Sequence, residues 1–481
     1  MAEDTVELWP YAAFIADVTI SIVASSHAVL NKRDVRSVIV WVGIIWLAPL
    51  LGTVLYVWLG INRIQRRARK LRAEPHRPEN MSDDHHADCV IGERLAGQEH
   101  FKGLVRLIDA TTHRPLLHGN RVQPLLHGDE AYPAMLEAID EARASVTLST
   151  YIFDDDRAGK MFLEALERAH RRGVAVRVII DDFGARYSWP GAPRLLHRAG
   201  IRHARFLPPI APWRLPYMNL RTHRKLLVVD GRVGFTGGMN IREGHFLALE
   251  PKHPVRDLHF RVTGPVVNHL QEVFAEDWAF CSGELLEGAP WFAALTPDGP
   301  VLARGLADGP DDDFETFHLT LLGALAAARE SVIVCTPYFI PDAALITALN
   351  VAAMRGVSVD IVLPERGNLP LVQWASTAQL WQVLDRGCRV WLTPPPFEHT
   401  KLFLVDGIAA FVGSANWDPR SLRLNFEFNL ECYDEGLAAD LTEYARERIG
   451  ASRLLSLAEV NARSLPVRLR DGIARLFAPF L

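Results

Sequence analysis

Two long apolar runs open the chain before any alternating pattern begins. Residues 37–62 form 26 consecutive positions without a charged side chain, and residues 8–30 form an earlier run that contains Asp17 and His27. About 20 apolar residues cross a bilayer as a helix, so the pattern predicts a membrane anchor with spans at 8–30 and 37–62. Because a charge at mid-span is costly, a helix lying in the membrane interface stays open for the first run.

A basic segment follows the second apolar run. Six lysines and arginines lie between positions 63 and 72, and residues 73–100 are polar and rich in His and Asp. Positive charge directly after a span marks its cytoplasmic side. We therefore expect residues 63–100 to be a juxtamembrane segment and linker, with the remaining chain at the cytoplasmic face of the membrane.

The remaining chain alternates short apolar strands with amphipathic helices. Each half is predicted to form a strand, a helix and a second strand, at 145–152, 158–172 and 174–181 and again at 332–336, 343–355 and 357–363. This alternation indicates an α/β sheet that is covered on both faces. We expect two tandem α/β/α sandwich domains at 101–300 and 301–465, followed by an amphipathic segment at 466–481.

Composition and charge exclude several classes of function. The 481 residues carry a net charge of −5, and five cysteines are spread along the chain. A nucleic-acid-binding surface must be basic to neutralise phosphates, so nucleic acid is not an expected partner. The odd cysteine count at wide spacing indicates neither a disulfide framework nor a zinc site.

One motif occurs twice in the chain. Each copy begins with a histidine and continues with Lys, Asp, Gly and Asn at offsets +2, +7, +14 and +17. The chemically active members are His223, Lys225, Asp230 and Asn240 in the first copy and His399, Lys401, Asp406 and Asn416 in the second. Strand residues two apart project to one side, and a hairpin returns the Asn beside them.

These side chains suit a phosphodiester substrate. Lysine and asparagine donors bind phosphoryl oxygens and the negative charge that grows in the transition state. One histidine can attack phosphorus while the other protonates the leaving alkoxide. A lone strand histidine is more often a core residue, but the duplication favours two catalytic histidines around one small volume.

The two H-x-K-x4-D copies with their G-[GS]-x-N tails resemble the phospholipase D superfamily, and within it the bacterial membrane-anchored cardiolipin synthases. The supporting strings are YIFDDD (151–156), RTHRKLLVVDG (221–231), GGMNI (237–241), TPYFIPD (336–342) and GSANWDPRSLRLNFEFNLE (413–431). The resemblance implies two tandem phospholipase-D-like domains in a pseudo-two-fold unit. It also implies a covalent phosphohistidine and no metal or organic cofactor.

The same resemblance implies roles for the motif residues. His223 is expected to be the nucleophile and His399 the general acid and base, with the reverse assignment left open. Phosphoryl oxygens are expected to bind to Lys225, Lys401, Asn240 and Asn416. Asp230 and Asp406 end the motif strands and are expected to order the hairpin turns, with a doubtful direct part in the chemistry.

A carboxylate behind each histidine is also implied by the resemblance. Asp257 lies 34 residues after His223, and Glu427 lies 28 residues after His399. Each would fix the tautomer of the histidine in its own copy and stabilise the imidazolium. Ser414 adds a hydroxyl donor to the second copy, where the first copy has Gly.

The implied reaction is phosphatidyl transfer between two phosphatidylglycerol molecules, which gives cardiolipin and glycerol. The alternative is a membrane-bound phospholipase D that hydrolyses or exchanges phospholipid headgroups, because the same residues serve both reactions. Phosphatidylglycerol and membrane lipids are the expected partners. The expected location is the bacterial cell (inner) membrane, with several spans and the catalytic domains facing the cytoplasm.

Two segments outside the motif leave alternatives open. Residues 208–221 carry Trp213, Tyr217 and two arginines, which predicts either a loop that dips into lipid headgroups or a packed connection. Residues 466–481 place apolar side chains at helical spacing, with arginines off that face. This pattern is typical of a helix in the membrane interface, but a helix packed on the catalytic core has the same pattern.

Overall fold

A computed structural model describes residues 4–32, 35–60, 95, 97–189, 191–208, 220–310, 313 and 315–478. The chain divides into an N-terminal unit, within residues 1–70, and a larger unit that holds both copies of the motif. The expected basic segment from 63 to 72 and most of the loop at 208–221 lie outside the described residues. The domain boundaries drawn from the sequence stay predictions.

In its described residues, the N-terminal unit contains three helices and a π-helical turn, α1 (Asp4–Asn31), α2 (Val35–Leu47), α3 (Pro49–Leu55) and Tyr56–Gly60. The expected second span at 37–62 is not one continuous helix, because the helix is interrupted at Ala48. The next residue, Pro49, has no backbone N–H with which to continue the helical hydrogen bonds. Among the described residues, Pro10–Asn31 is the one helix long and apolar enough to cross a bilayer.

The helices of this unit pack against each other. The Trp46 indole donates to the Ser25 hydroxyl at 3.1 Å, and His27 Nδ1 hydrogen-bonds to Tyr56 Oη at 2.7 Å. Polar contacts of this kind hold apolar helices together where a hydrophobic driving force between them is absent. The two apolar runs therefore pair with each other.

A 15-stranded sheet forms the larger unit. The first half supplies β1 (Leu117–Leu126), β2 (Ser145–Thr150), β3 (Ala175–Asp181), β4 (His203–Phe206), β5 (Leu226–Val229), β6 (Val233–Gly237) and β8 (Leu258–Thr263). The second half supplies β9 (Val301–Asp308), β10 (Ser331–Cys335), β11 (Ser358–Pro364), β12 (Arg389–Thr393), β14 (Leu402–Val405), β15 (Ala409–Gly413), β16 (Glu427–Tyr433) and β17 (Arg453–Leu455). A separate two-stranded sheet pairs β7 (Val255–Arg256) with β13 (Phe397–Glu398).

The strand order shows the internal repeat. It runs β17-β12-β11-β10-β14-β15-β16-β9-β1-β8-β6-β5-β2-β3-β4. Apart from the extra edge strand β17, both halves place equivalent strands in the same order outward from the central β9–β1 pair. The strand β9 pairs antiparallel with both β1 and β16 and joins the two halves into one sheet. The outer strands β2, β3, β10 and β11 form parallel pairs, as the alternating pattern predicts.

Helices cover this sheet. The first half has α4 (Glu99–Asp109), α5 (His127–Glu141), α6 (Arg157–Arg171), α7 (Ala192–Arg198) and α8 (Val267–Ser282). The second half has α9 (Thr316–Ala327), α10 (Ala343–Met354), α11 (Pro370–Thr377), α12 (Trp381–Leu384), α13 (Pro419–Arg423), α14 (Glu435–Gly450), α15 (Leu457–Asn461) and α16 (Leu465–Leu476). The expected helices at 158–172 and 343–355 match α6 and α10, whose first turns are capped by the carboxylates of Asp156 and Asp342.

The C-terminal helix packs on the larger unit, which is one of the two alternatives that its sequence left open, and the membrane-interface alternative stays a prediction. The helix α16 packs against α11 and buries Asp471 and Ala474. The opposite side leaves Leu469, Ile473 and Leu476 exposed to solvent. The segment is therefore docked on the larger unit through one narrow face, and its apolar face stays uncovered by the described residues.

Candidate active site

Both motif histidines lie at the carboxyl ends of parallel strands. His223 precedes β5, which runs antiparallel to β2, and His399 precedes β14, which runs antiparallel to β10. The start of each motif strand is therefore beside the carboxyl end of its parallel neighbour. Ligand sites of α/β sheets form at this edge.

Each histidine is hydrogen-bonded into the opposite half of the repeat. The His223 N–H donates to the Phe426 carbonyl at 2.8 Å, and the His399 N–H donates to the Arg256 carbonyl at 2.7 Å. Phe426 and Arg256 each stand directly before a candidate carboxylate in the sequence. The backbone therefore places each histidine beside the carboxylate of the other copy.

The side chains pair in the same crossed manner. His223 Nδ1 lies 2.9 Å from Glu427 Oε2, and His399 Nδ1 lies 2.7 Å from Asp257 Oδ2. The pairing expected within each copy, Asp257 with His223 and Glu427 with His399, is wrong. The physical reason is the pseudo-two-fold arrangement, in which each histidine segment forms backbone hydrogen bonds with the strand entry of its partner half.

The two carboxylates are fully buried but differ in their surroundings. Ser414 Oγ donates to Glu427 Oε2 at 2.5 Å. In the other half, a Cβ built on Gly238 would lie 2.4 Å from Asp257 Oδ1. The carboxylate of the shorter Asp257 side chain lies where a serine side chain at position 238 would be. The first copy therefore has Gly where the second copy has Ser414, because it has Asp257 where the second copy has Glu427.

Two buried lysines stand beside the histidines. Lys225 Nζ donates to the His223 carbonyl at 2.6 Å, and Lys401 Nζ lies 2.6 Å from the His399 carbonyl and 3.0 Å from His399 Nε2. Burial lowers the pKa of Lys225 to about 7 and the pKa of Lys401 to about 8, and the buried carboxylates Glu427 and Asp257 oppose this shift. An anionic ligand next to these lysines would therefore stabilise their charged ammonium forms.

The charges of the two copies act on one another. Burial lowers the pKa of His223, and Lys225 and Lys401 lower it further against the attraction of Glu427. Burial also lowers the pKa of His399 well below its usual range, with both lysines adding to the effect. Both imidazoles are therefore neutral at pH 7, and with Nδ1–H donated to a carboxylate each ring carries its lone pair on Nε2.

The two asparagines of the motif tails are also buried. Asn240 Oδ1 accepts from the Ile152 N–H at 3.1 Å. The Asn416 amide NH2 instead donates to Ser421 Oγ at 3.2 Å. The structure thus brings together the histidines, lysines, carboxylates and Ser414 that the sequence singled out.

The two motif aspartates are the exception. Asp230 and Asp406 follow β5 and β14 and so lie at the opposite ends of these strands from the lysines. Asp230 accepts hydrogen bonds from three successive backbone N–H groups, Arg143, Ala144 and Ser145, and Asp406 accepts them from Arg329, Glu330 and Ser331. Both residues have positive φ, of 53° and 52°. They tie the motif hairpin to the start of the neighbouring parallel strand.

Replacing Asp230 with alanine is expected to destabilise the fold without removing the chemistry. Losing a carboxylate that accepts three backbone N–H groups costs roughly 2–4 kcal/mol of unfolding free energy, whereas turnover per folded molecule is expected to change by less than about threefold. Thermal unfolding and single-temperature kinetics on the same preparation measure both. A loss of about a hundredfold in kcat in a fully folded variant would place Asp230 in the chemistry.

One buried histidine of this cluster was missed in the sequence. His245 is 2% exposed, its ring centroid lies 6.0 Å from that of His399, and its Nδ1 has no hydrogen-bond partner among the described residues. It stands five positions after Asn240, as Ser421 stands five positions after Asn416. That shared offset is the signal that could have identified it, but the residue type differs between the copies.

His245 also completes the described set of side chains that could hold a metal ion. Potential ligand atoms of His245, Asp257 and His399 all lie within 4.8 Å of one another. Zinc accepts such nitrogen and oxygen ligands. The Asp257 carboxylate, however, already binds His399 Nδ1, so a metal there would compete with the histidine–carboxylate pair.

Comparison with known proteins identifies the family. A family model described as cardiolipin synthase, PLD-like domain, matches residues 135–278 and 321–449. The chain belongs to this family. Cardiolipin synthase A of Pseudomonas fluorescens (strain SBW25) is 33% identical over 473 residues and covers 98% of both chains. The major cardiolipin synthase ClsA of Bacillus subtilis (strain 168) is 30% identical and covers 97% of this chain and 98% of its own length.

A solved structure supports the fold assignment. Phosphatidylserine synthase of Haemophilus influenzae matches with a TM-score of 0.60, covering 79% of this chain and 100% of its own, at 15% sequence identity. At this identity the match bears on the fold alone. The expected resemblance to the cardiolipin synthase family and the expected pair of phospholipase-D-like α/β domains are both confirmed.

Proposed function

We propose that this member of the cardiolipin synthase family transfers a phosphatidyl group from one phosphatidylglycerol to another, which yields cardiolipin and glycerol. The single observation that carries the proposal is the pair of crossed histidine–carboxylate contacts, at 2.9 Å and 2.7 Å, with a buried lysine beside each histidine. Such a site offers one nucleophile, one proton carrier and two cations to a single phosphodiester.

In the first step His223 Nε2 attacks phosphorus of the donor lipid. The bond to the glycerol oxygen breaks as His399 gives that oxygen a proton, so glycerol leaves and a phosphatidyl-histidine remains. The incoming phosphodiester anion raises the pKa of His399 against the nearby lysines, which supplies the protonated acid. Glu427 accepts the Nδ1–H of His223 and stabilises the positive charge that attack places on the ring.

In the second step the terminal hydroxyl of another phosphatidylglycerol attacks the phosphatidyl-histidine. His399 now accepts the hydroxyl proton, the P–N bond breaks and His223 returns to its neutral form. Asp257 holds His399 in one tautomer through both steps. The ammonium groups of Lys225 and Lys401, with Asn240, are proposed to bind the phosphoryl oxygens.

The setting proposed for this reaction is the bacterial inner membrane. The α1 segment Pro10–Asn31 has the length and apolar character of a span, and relatives named cardiolipin synthase cover almost the whole chain. We propose a cytoplasmic catalytic unit because six cationic residues follow the apolar region. A surface-held enzyme meets its lipid acceptor at high local concentration, which favours transfer over hydrolysis.

Product analysis separates the proposed transferase from a headgroup-hydrolysing phospholipase D. The full chain is reconstituted in vesicles that contain phosphatidylglycerol as the sole anionic lipid, and lipids and free glycerol are quantified. Cardiolipin and glycerol in equal amounts are expected. Phosphatidic acid as the main lipid product would contradict the proposal and favour the hydrolase.

Activity is expected to follow a bell-shaped pH profile with its alkaline limb between about 7 and 8. Rising pH neutralises Lys225 and Lys401, whose pKa values are about 7 and about 8, and so removes the charges that bind the phosphoryl group. On the acid side, His223 loses its lone pair when it is protonated; because its pKa is lowered from 6.5, this limb lies below pH 6.5.

The variant Lys225→Arg tests whether deprotonation of Lys225 produces the alkaline limb of the pH profile. Arginine keeps its charge throughout this range, so the limb is expected to move to higher pH even if the maximal rate falls. The profile of kcat/KM in vesicles measures the shift. An alkaline limb at the same pH in both Lys225→Arg and Lys401→Arg would show that neither lysine titrates there.

Turnover is expected to survive treatment with EDTA. Ammonium and amide donors supply the positive charge that a metal would otherwise place on the phosphoryl oxygens. The measurement compares initial rates before and after chelation and dialysis. Loss of activity that a divalent cation restores would instead assign a metal to the His245, Asp257 and His399 cluster.

A further inference from the structure

A patch of aromatic side chains is exposed next to the active site in the first half. Phe183, Tyr187 and Trp189 follow β3 and are 42%, 56% and 83% exposed. Grouped apolar side chains of this size on a protein surface mark an interaction site. The Arg194 guanidinium lies 4.7 Å from the Trp189 ring centroid, so a cation accompanies the patch.

This first patch is linked to His223 by one intervening ring. The Tyr151 ring lies 6.3 Å from that of Tyr187 and 5.5 Å from that of His223. Asp181 accepts hydrogen bonds from the N–H groups of Phe183 and Thr222. The same buried carboxylate therefore positions both the aromatic segment and the residue that precedes His223.

A second patch lies on α16 in the other half. Leu469, Ile473 and Phe477 are 62%, 49% and 51% exposed. On the inner face, Ala474 packs in a cluster with Tyr338, and the Tyr338 ring lies 6.3 Å from that of His399. The second patch is thus related to His399 much as the first patch is related to His223.

Both patches belong to one edge of the sheet. The first follows the carboxyl end of β3, and the second is reached through Tyr338, which follows the carboxyl end of β10. Three exposed arginines lie on α16 beside the apolar face, namely Arg468, Arg470 and Arg475. Aromatic and aliphatic side chains next to arginines suit the headgroup region of an anionic bilayer.

We propose that these two patches form the surface through which the catalytic unit lies on an anionic lipid bilayer. Phosphatidylglycerol headgroups then reach His223 past the first patch and His399 past the second, without leaving the bilayer. The apolar α1 helix restricts the catalytic unit to the vicinity of a membrane, and the patches select which face meets it. The inference rests on the proposed function only for the identity of the lipid that is consumed.

Fluorescence quenching tests the surface without any need for turnover. The full chain, with Cys89 and Cys281 replaced by serine, is labelled with the environment-sensitive fluorophore NBD at Leu469→Cys or Trp189→Cys. Met354→Cys is the matched control, because Met354 is 61% exposed but ends α10, at the edge where β11 begins. The labelled proteins are reconstituted in vesicles of phosphatidylglycerol and phosphatidylcholine.

Nitroxide-labelled lipids are expected to quench the labels at 469 and 189 about twofold or more, and aqueous iodide to quench only the label at 354. Iodide quenching of all three labels would overturn the proposal. Protection from both quenchers at 469 and 189 would also overturn it, since the patches would then be covered by protein, such as a second copy of the chain.

Turnover measurements test whether contact between this surface and the bilayer is needed for the reaction. The double variant Leu469→Glu with Phe477→Glu is expected to lower turnover of long-chain phosphatidylglycerol in vesicles about tenfold, because the apolar contact with the bilayer is lost. Turnover of short-chain, monomeric phosphatidylglycerol in solution is expected to stay unchanged. Equal losses on both substrates would overturn the proposal, whereas a wild-type protein that forms no cardiolipin would contradict the proposed function and leave the quenching result standing.

Discussion

His223→Ala and His399→Ala are each expected to lower kcat by roughly 10³-fold or more, with the fold intact. One imidazole cannot both attack phosphorus and carry the proton, and each role is typically worth 10²-fold to 10⁴-fold. The two side chains are 13% and 11% exposed, and Nδ1 of each ring is bonded to a buried carboxylate of the cluster. Cardiolipin formation in vesicles and thermal unfolding measure the two effects.

His170→Ala is the matched control for these variants. His170 lies near the end of α6 and is exposed, so its loss is expected to leave both rate and stability unchanged. If either active-site variant kept more than about a tenth of the wild-type rate, a single site shared by both copies of the motif would be contradicted.

The crossed carboxylates are expected to produce the second large effect. Glu427→Gln and Asp257→Asn replace an acceptor of the histidine Nδ1–H with an amide, which permits the wrong tautomer and costs roughly 10²-fold to 10⁴-fold in kcat. Ser414→Ala is the control, because it removes one donor to Glu427 and leaves the His223–Glu427 contact in place. Its expected loss is less than about tenfold.

A substrate with a good leaving group shows which histidine each carboxylate serves. Phosphatidyl-p-nitrophenol needs no acid in the first step, so a variant with a damaged His399 still releases a burst of p-nitrophenol as the covalent intermediate forms. With the crossed pairing, Asp257→Asn keeps the burst and Glu427→Gln loses it. The reverse result would assign the carboxylates to the histidines of their own copies, or exchange the roles of the two histidines.

The repeat itself made much of the site predictable. His, Lys and Asn recur at identical offsets in the two copies, and strand alternation with a hairpin return is enough to bring them together. The parallel strands and covering helices also followed from the apolar pattern. These features depend on local periodicity, which a single sequence displays directly.

The pairing of the carboxylates was not predictable in this way. Glu427 is nearer in sequence to His399 than to His223, yet the hydrogen bond between His223 N–H and the Phe426 carbonyl crosses between the halves. Only the pseudo-two-fold arrangement of the halves creates this contact. Sequence separation carries no information about which half supplies the partner.

Two other features depended on tertiary context. His245 has no counterpart of the same residue type in the second copy, so the repeat did not mark it. The apolar run at 37–62 is continuous by composition, but Pro49 breaks its helix, and hydropathy does not register that break. The missing backbone N–H of Pro49 thus decided where the helix ends, although the apolar pattern continues through residues 37–62.

The most direct measurement is the site and stoichiometry of the covalent intermediate. The full chain in vesicles is mixed with phosphatidylglycerol or phosphatidyl-p-nitrophenol, quenched in base to preserve a phosphohistidine, digested and mapped by mass spectrometry. We expect phosphatidyl or its deacylated remnant on His223, at no more than one per chain, retained in Asp257→Asn and absent from His223→Ala. Steady production of cardiolipin with no histidine adduct in a rapid-quench series, or an adduct that persists in His223→Ala, would contradict this account.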